Sequence, residues 1–169
     1  MGLLSISPIA FQTTPDPNNP KAMKIMVNPA VGASILAKNG IVLNIAISPD
    51  MLTVSTMQTL GQVSPRPFLC KALVDTGASG LAIDKSIAVA LGLKKQGIAN
   101  NFTANGAKQS PVYFVSLNFP GTNLRSYDML RATEVDLTNQ PFQCLIGRET
   151  MANWHMHYNG QTGQISISD

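Results

Sequence analysis

The stretch Phe68-Leu-Cys-Lys-Ala-Leu-Val74, followed without a break by Asp75-Thr-Gly77, sets the tightest limit on what this chain can fold into. Seven residues that become almost uniformly apolar toward their end read as a strand entering a core. A carboxylate directly behind such a strand is costly, because an ionised carboxyl in low dielectric loses its hydration. Gly77 lets the chain turn sharply and approach a ligand closely, the Thr76 hydroxyl can tie the loop to a partner, and Ala78 is small enough to leave room beside the carboxylate. A plain surface turn also favours Asp and Gly. The surroundings decide between the two readings: Leu73-Val74 before, Ala78-Ser79 after, and Leu145-Ile-Gly-Arg148 roughly seventy residues later.

Other segments read mostly as short strands. Ile41, Leu43, Ile45 and Ile47 alternate on one face with the period of a strand, which Pro49-Asp50 stops. Residues 51–66 are ambiguous, with Thr53-Val54 possible as extended chain and Gly61 and Pro65 marking turns. Asp84 is placed to cap a short helix whose Ile87, Ala88 and Leu91 share a face, closed by Gly92. Asn105-Gly106 separates two extended candidates, because Asn-Gly tolerates the positive φ of a tight hairpin turn. The second of these, Val112-Tyr-Phe-Val-Ser-Leu-Asn-Phe119, is ended by Pro120-Gly121. Gln143-Cys-Leu-Ile146 leads into Gly147-Arg148-Glu149, and the end reads as a hairpin of residues 155–158 and 164–168. Before all of these, residues 7–29 hold Pro8, Pro15, Pro17, Pro20 and Pro29 and read as an extended arm without regular ladders. The division expected is therefore an arm or extension at 1–39 and one domain at 40–169.

A chain of 169 residues suffices for one substantial core but hardly for two. Apolar residues make up 44% and charged ones only 12%, which favours a sheet-rich fold or an additional buried interface. The net charge of +3 comes from scattered basic residues with Lys94 and Lys95 the only adjacent pair, so no nucleic-acid partner is expected. No apolar run approaches the roughly 20 residues of a membrane span. Met1-Gly-Leu-Leu-Ser-Ile6 has neither a basic region nor a cleavage pattern, so a secretory signal is not expected, and Ile6 does not fit a myristoylation pattern. Cys70 and Cys144 sit in apolar segments and read as small buried hydrophobes rather than a disulfide or a metal pair. The compartment stays open on this evidence, with a reducing, cytoplasmic one favoured. His155 and His157 would share one strand face, a spacing open to metal. With no third ligand in view, ordinary strand histidines are the preferred reading, and neither a metal nor another cofactor is expected.

Ala72-Leu-Val-Asp-Thr-Gly-Ala-Ser79 together with Cys144-Leu-Ile-Gly-Arg148 resembles the two signature segments of the retropepsin-like aspartic proteases, over residues 40–169. The resemblance implies an all-β fold, a closed and mostly antiparallel β-barrel with one or two short helices, whose protomers pair as a two-fold homodimer. It makes Asp75 the catalytic carboxylate, with Thr76 bonding across the two-fold axis to the other loop and Gly77 accepting the substrate backbone. Gly77, Ala78 and Ser79 would line the peptide, Asn105 and Gly106 would form the tip of a flap over it, and Ile146, Gly147 and Arg148 would support the loop. The last strand, near Ile165 to Ser168, would join the dimer interface. Viral members have an acidic residue where Ser79 stands, able to pair with the arginine of the second motif; Ser79 cannot neutralise Arg148. That places the chain nearer the cellular and bacterial members. Glu149 also departs from the usual Asp or Asn, and Arg148 with Glu149 can equally be an ordinary solvated pair.

No other aspartate of the chain is followed by Thr-Gly or Ser-Gly, so one protomer holds half a site. The expected function is an aspartic endopeptidase in which two Asp75 carboxylates share a proton and activate a water. Its partners would be a peptide or protein substrate and a second copy of the chain. The alternative is a catalytically idle dimer of the same fold that binds peptides or serves assembly.

Overall fold

The computed structural model describes residues 3–6, 11–16, 19–27, 29–103 and 106–169, with side chains at Leu4, 30–101 and 106–169. Its centre is a seven-stranded sheet in the order β4 (Val42–Pro49), β5 (Phe68–Val74), β10 (Cys144–Ile146), β6 (Leu81–Asp84), β9 (Tyr127–Val135), β8 (Gly106–Asn118) and β7 (Gly97–Thr103). β8 also pairs with β4, through Ala46↔Asn118 to Pro49↔Val115. The sheet is mostly antiparallel, as expected, with two parallel pairings, β10 with β5 and β6 with β9. Parallel neighbours need crossovers. The chain supplies them through α3 (Lys85–Ala90), β7 and β8, which carry it from β6 to β9, and through the whole of β6 to β9, which carries it from β5 to β10.

The alternation of β4 holds: Leu43, Ile45 and Ile47 are buried while Asn44 faces solvent. β5 has the expected bounds but a different pattern. Only Ala72 is fully buried, Phe68, Cys70 and Val74 pack on the core from the same face, and Leu69 on the other face is exposed. A strand with one face on the core needs apolar residues only at every second position, so the apolar run overstated how deeply β5 lies. The core joins β4, β6 and β8 to α3 through Ile45, Ile47, Ile83, Val115, Leu117 and Ile87.

Helices are more prominent than the one or two expected. α1 (Pro29–Asn39) starts with Pro29 at its first position, where proline's missing N–H costs nothing. α2 (Met51–Thr59) occupies the ambiguous stretch: the Asp50 carboxylate accepts from Thr53 N at 3.0 Å and from Thr53 Oγ1 at 2.6 Å, which starts a helix and resolves the ambiguity at Thr53-Val54. α3 is capped by Asp84 and followed by Gly92 at φ 60°, as expected. α4 (Arg148–Met151) is one turn.

The first residues carry ladders despite their prolines. β2 (Phe11–Asp16) and β3 (Asn19–Val27) form a two-stranded sheet, and β1 (Leu3–Ile6) pairs with β12 (Gln164–Ser168). Within β2 and β3 the prolines sit where a ladder tolerates them: Pro15 borders the register shift at Pro15/Asp16, and Pro20 is the second residue of its strand. β12 also pairs with β11 (His155–Asn159), giving a terminal three-stranded sheet in the order β1-β12-β11. Ile165 and Ile167 of β12 belong to the main core, so this sheet packs on the central one. No helix among the described residues is long and apolar enough to cross a membrane.

Candidate active site

β5 ends at Val74 and hands the chain to a turn whose backbone is held from inside. Asp75 N donates to Ile146 O at 2.9 Å, continuing the parallel β5–β10 ladder one step past its last pair, Ile146↔Val74. Ala78 N donates back to Asp75 O at 3.2 Å. Gly77 N donates to Asp75 Oδ1 at 2.8 Å, which fixes the orientation of the carboxylate with respect to its own loop. That is the only hydrogen bond made to the carboxylate among the described residues, and Asp75 is partly exposed. The second oxygen, Oδ2, is therefore open to a group from outside the protomer.

The second motif closes around this loop. Arg148 N donates to Ala78 O at 3.0 Å and Glu149 N to Ser79 O at 2.9 Å, so residues 147–149 lie along residues 78–80. The contact is tight at Gly147, where a Cβ would run into the backbone of Gly80 and Ala78. Glycine is required here by space, since no flexible side chain could give way. Arg148 settles a question left open by the sequence: its Nη1 donates to Thr76 O at 2.5 Å and to Gly77 O at 3.1 Å. Arg148 acts as a clamp on the Asp75 loop rather than as a solvated partner of Glu149. With two neutral carbonyls as acceptors it needs no acid at position 79, which explains how Ser79 is accommodated.

Asp75, Thr76, Gly77, Ala78 and Ser79 are thus assembled with Ile146, Gly147 and Arg148. Thr76 and Ser79 are exposed and Ala78 is partly covered. Gly106 stands apart from this cluster in the chain, at the start of β8 with φ 103°, in a hairpin whose register runs from Gly97↔Val112 to Thr103↔Gly106. Residues 106–109 at the far end of that hairpin are exposed. Asn105 lies outside the described residues.

Two sets of contacts were not foreseen. Gly80 lies against both Gly147 and Glu149, and a Cβ on it would stand 3.0 Å from Glu149 Oε2. Its signal in the sequence is a glycine three positions after Gly77 that no turn requires. Behind α4, Tyr127 OH donates to Thr150 O at 3.2 Å, and Trp154 stacks edge-on against Phe119 with centroids 5.7 Å apart. These contacts join residues far apart in sequence and left no local signal. Cys70 and Cys144 are free thiols on the adjacent strands β5 and β10. Burial pushes Cys70 up to about 11, and burial followed by the nearby Cys70 pushes Cys144 well above its ordinary value, so neither is poised as a nucleophile.

An aspartate at the end of a core strand, on a turn fixed by a second glycine-containing segment, is a site that can present a carboxylate to a bound water or peptide. Residues 60–150, just over half the chain, match the family described as aspartyl protease. The chain belongs to the aspartyl protease family. Among solved structures, the crystal structure of a retropepsin-like aspartic protease from Rickettsia conorii is similar at 15% identity and a TM-score of 0.46, covering 75% of this chain and 80% of that one. No curated protein matches.

Proposed function

We propose that the chain is an aspartic endopeptidase of the retropepsin-like type, hydrolysing peptide bonds through a water held between Asp75 and the Asp75 of a second copy. The observation that carries this reading is the Asp75 carboxylate itself: one oxygen is bound by its own loop and the other has no partner among the described residues, and Asp75 lies within the residues that match the aspartyl protease family. Thr76, exposed in the single protomer, is free to bond across the two-fold axis. The pairing of β8 with β4, which links the sixth strand of the central sheet back to its first, supports the closed barrel expected of this type. The β7–β8 hairpin, with its exposed end at residues 106–109, is assigned as the flap, and residues 40–169 as the protease domain.

Two carboxylates brought within hydrogen-bond distance cannot both ionise readily, so the pair holds one proton between them. The ionised member removes a proton from the water as its oxygen bonds to the scissile carbonyl carbon, and the protonated member gives its proton to the carbonyl oxygen. The resulting gem-diol collapses: a hydroxyl proton returns to the dyad, the C–N bond breaks, and the leaving nitrogen takes a proton. The dyad ends as it began, with one proton. Because the mechanism needs that single shared proton, activity peaks at acidic to mildly acidic pH.

The test is a diverse peptide library incubated with the purified protein between pH 3 and 7. Wild type is expected to cleave, and Asp75→Asn to lose at least about 10³-fold, in line with removal of a general acid–base group. Peptide binding that survives Asp75→Asn, with no product from wild type at any pH, would replace the enzyme by a peptide-binding module.

A further inference from the structure

We infer that Glu149 sets a substrate preference at this site: its carboxylate favours peptides that carry a lysine or arginine a few residues from the scissile bond. Glu149 then selects the peptide that Asp75 acts on, so the inference rests on the reading of the Asp75 loop as a peptidase site.

Glu149 is anchored by its backbone and unpaired at its tip. Its N donates to Ser79 O at 2.9 Å, which places the residue beside the strip of chain leaving the Asp75 loop. The side chain lies back over that strip: Oε2 is 3.0 Å from the point where a Cβ on Gly80 would stand. Any side chain at position 80 would compete for this space, and glycine leaves it to the carboxylate. The strip itself, Thr76-Gly-Ala-Ser-Gly80, has no acid, so the second motif brings a negative charge to a surface that has none beyond Asp75.

Among the described residues nothing uses that charge. Arg148, next to it in the chain, turns its guanidinium to Thr76 O and Gly77 O, and the Glu149 carboxylate makes neither a hydrogen bond nor an ion pair. Glu149 is exposed, so a cation arriving from outside can meet it. A metal ion needs several ligands, and no group of three candidates gathers among the described residues. A lysine or arginine side chain needs only this one carboxylate, and the pairing is a charge-assisted hydrogen bond.

A peptide held at Asp75 can reach it. The bond from Ala78 N to Asp75 O closes a tight turn, which keeps the Cα atoms of residues 75 and 78 within about 7 Å. Ser79, to which Glu149 is bonded, is one residue of about 3.8 Å further on. An extended peptide advances about 3.3 Å per residue, so a long basic side chain about two to four residues from the scissile bond spans the gap.

The full chain is given short peptides built on a sequence that it cleaves in the diverse library, with Lys, Gln or Glu placed in turn at each position within about four residues of the scissile bond, at about pH 6, above the ordinary carboxylate range. Attraction and repulsion at an exposed pair are each worth about threefold. At one position or more, kcat/KM is therefore expected to favour Lys over Glu about tenfold, mainly through KM, with the ratio falling as salt is added. Glu149→Gln is expected to bring the ratio below about threefold and Glu149→Lys to reverse it, while Asp128→Asn, at an exposed acid of β9, keeps it. A merely structural role would slow all the peptides alike and reverse nothing. The same peptides, or the library itself where nothing is cleaved, are also measured as binding to Asp75→Asn. A wild type with no preference for Lys over Glu at any position, a preference that survives in Glu149→Gln or Glu149→Lys, or an Asp75→Asn that binds basic and acidic peptides alike overturns the inference. A Glu149-dependent preference in binding, with no cleavage by wild type, would uphold it and overturn the catalytic reading instead.

Discussion

The segments on the two sides of α4 differ in what satisfies them. At its start, Gly147, Arg148 and Glu149 are locked onto the Asp75 loop by two backbone hydrogen bonds, two guanidinium hydrogen bonds and a glycine contact with no slack. After it, β11 has one paired edge, one edge that pairs with no strand among the described residues, and two side chains, Met156 and Tyr158, that are 37% and 53% exposed. One turn of helix thus separates a segment held by several hydrogen bonds from one that is paired along a single edge among the described residues. On the proposed two-copy reading, the loop that holds the carboxylate is preorganised before a partner arrives, so assembly has only to bring two ready halves together.

The sharpest way to break this contrast is at Gly147. Alanine there puts a Cβ into backbone atoms of Gly80 and Ala78, which cannot move without opening the Asp75 turn. Gly147→Ala is expected to cost about 3–5 kcal/mol, at the upper end of single-residue effects, and to abolish cleavage. Chemical denaturation read by fluorescence of Trp154 measures the first and a peptide assay the second. A stability loss under 1 kcal/mol would mean that the two segments are not packed as tightly as described.

Arg148 sharpens the same comparison with a smaller effect. Arg148→Met keeps the length of the side chain and removes both hydrogen bonds to Thr76 O and Gly77 O. Since Arg148 is exposed, water replaces part of what is lost, and a stability cost of about 1–2 kcal/mol is expected. Activity is expected to fall about 10–100-fold through kcat with KM little changed, because the clamp positions the loop without touching the peptide. Arg148→Lys, a single point donor, should recover only part of it. Equal losses in KM and kcat would argue instead for direct contact with substrate.

How far the fold could be read beforehand follows from how local each signal is. Asp84 as a helix cap, Gly92 behind that helix, the bounds of β5 and the closing hairpin each depend on a few adjacent residues, and all of them stand in the structure. β6 and β9 went unforeseen: their partners, Leu81↔Ala132 to Asp84↔Val135, are fifty residues apart and pair in parallel, which leaves no hairpin turn in the sequence. α2 was ambiguous because none of its residues is buried, so no apolar stripe marks it; the helix is held at its start by Asp50. At the site, Asp75-Thr-Gly77 and Gly147-Arg148 were visible as motifs. What Arg148 bonds to was not, since carbonyl acceptors carry no side-chain signature. Nor could the sequence say which edge of the terminal hairpin would stay open, because that depends on β1 returning from the other end of the chain.

The smallest effect is expected at Asp84, at the far end of β6 from Gly80, and it bears on whether the fold survives the acidity that the proposed chemistry needs. Its Oδ1 accepts from Ser86 N at 2.9 Å and Ser86 Oγ at 2.5 Å, while Oδ2 accepts from Leu137 N at 2.9 Å. Burial raises the pKa of this carboxyl, but the hydrogen bonds from Ser86 Oγ, Leu137 N and Ser86 N outweigh it, and the net shift is downward. A lowered folded pKa means the unfolded chain takes up the proton first. The stabilisation is therefore complete above the unfolded value of about 3.9 and is lost as pH falls through the lower folded one. Asp84→Asn leaves one acceptor oxygen for two sides of the site, so either Ser86 or Leu137 loses its partner, at a cost of about 1–2 kcal/mol near neutral pH. Thermal melts of wild type and Asp84→Asn from pH 7 to pH 2.5 should keep a constant gap down to about pH 4 and then converge as wild type loses its advantage. A gap that widened in acid would have the sign wrong and would show that the folded Asp84 holds its proton more tightly than the unfolded one.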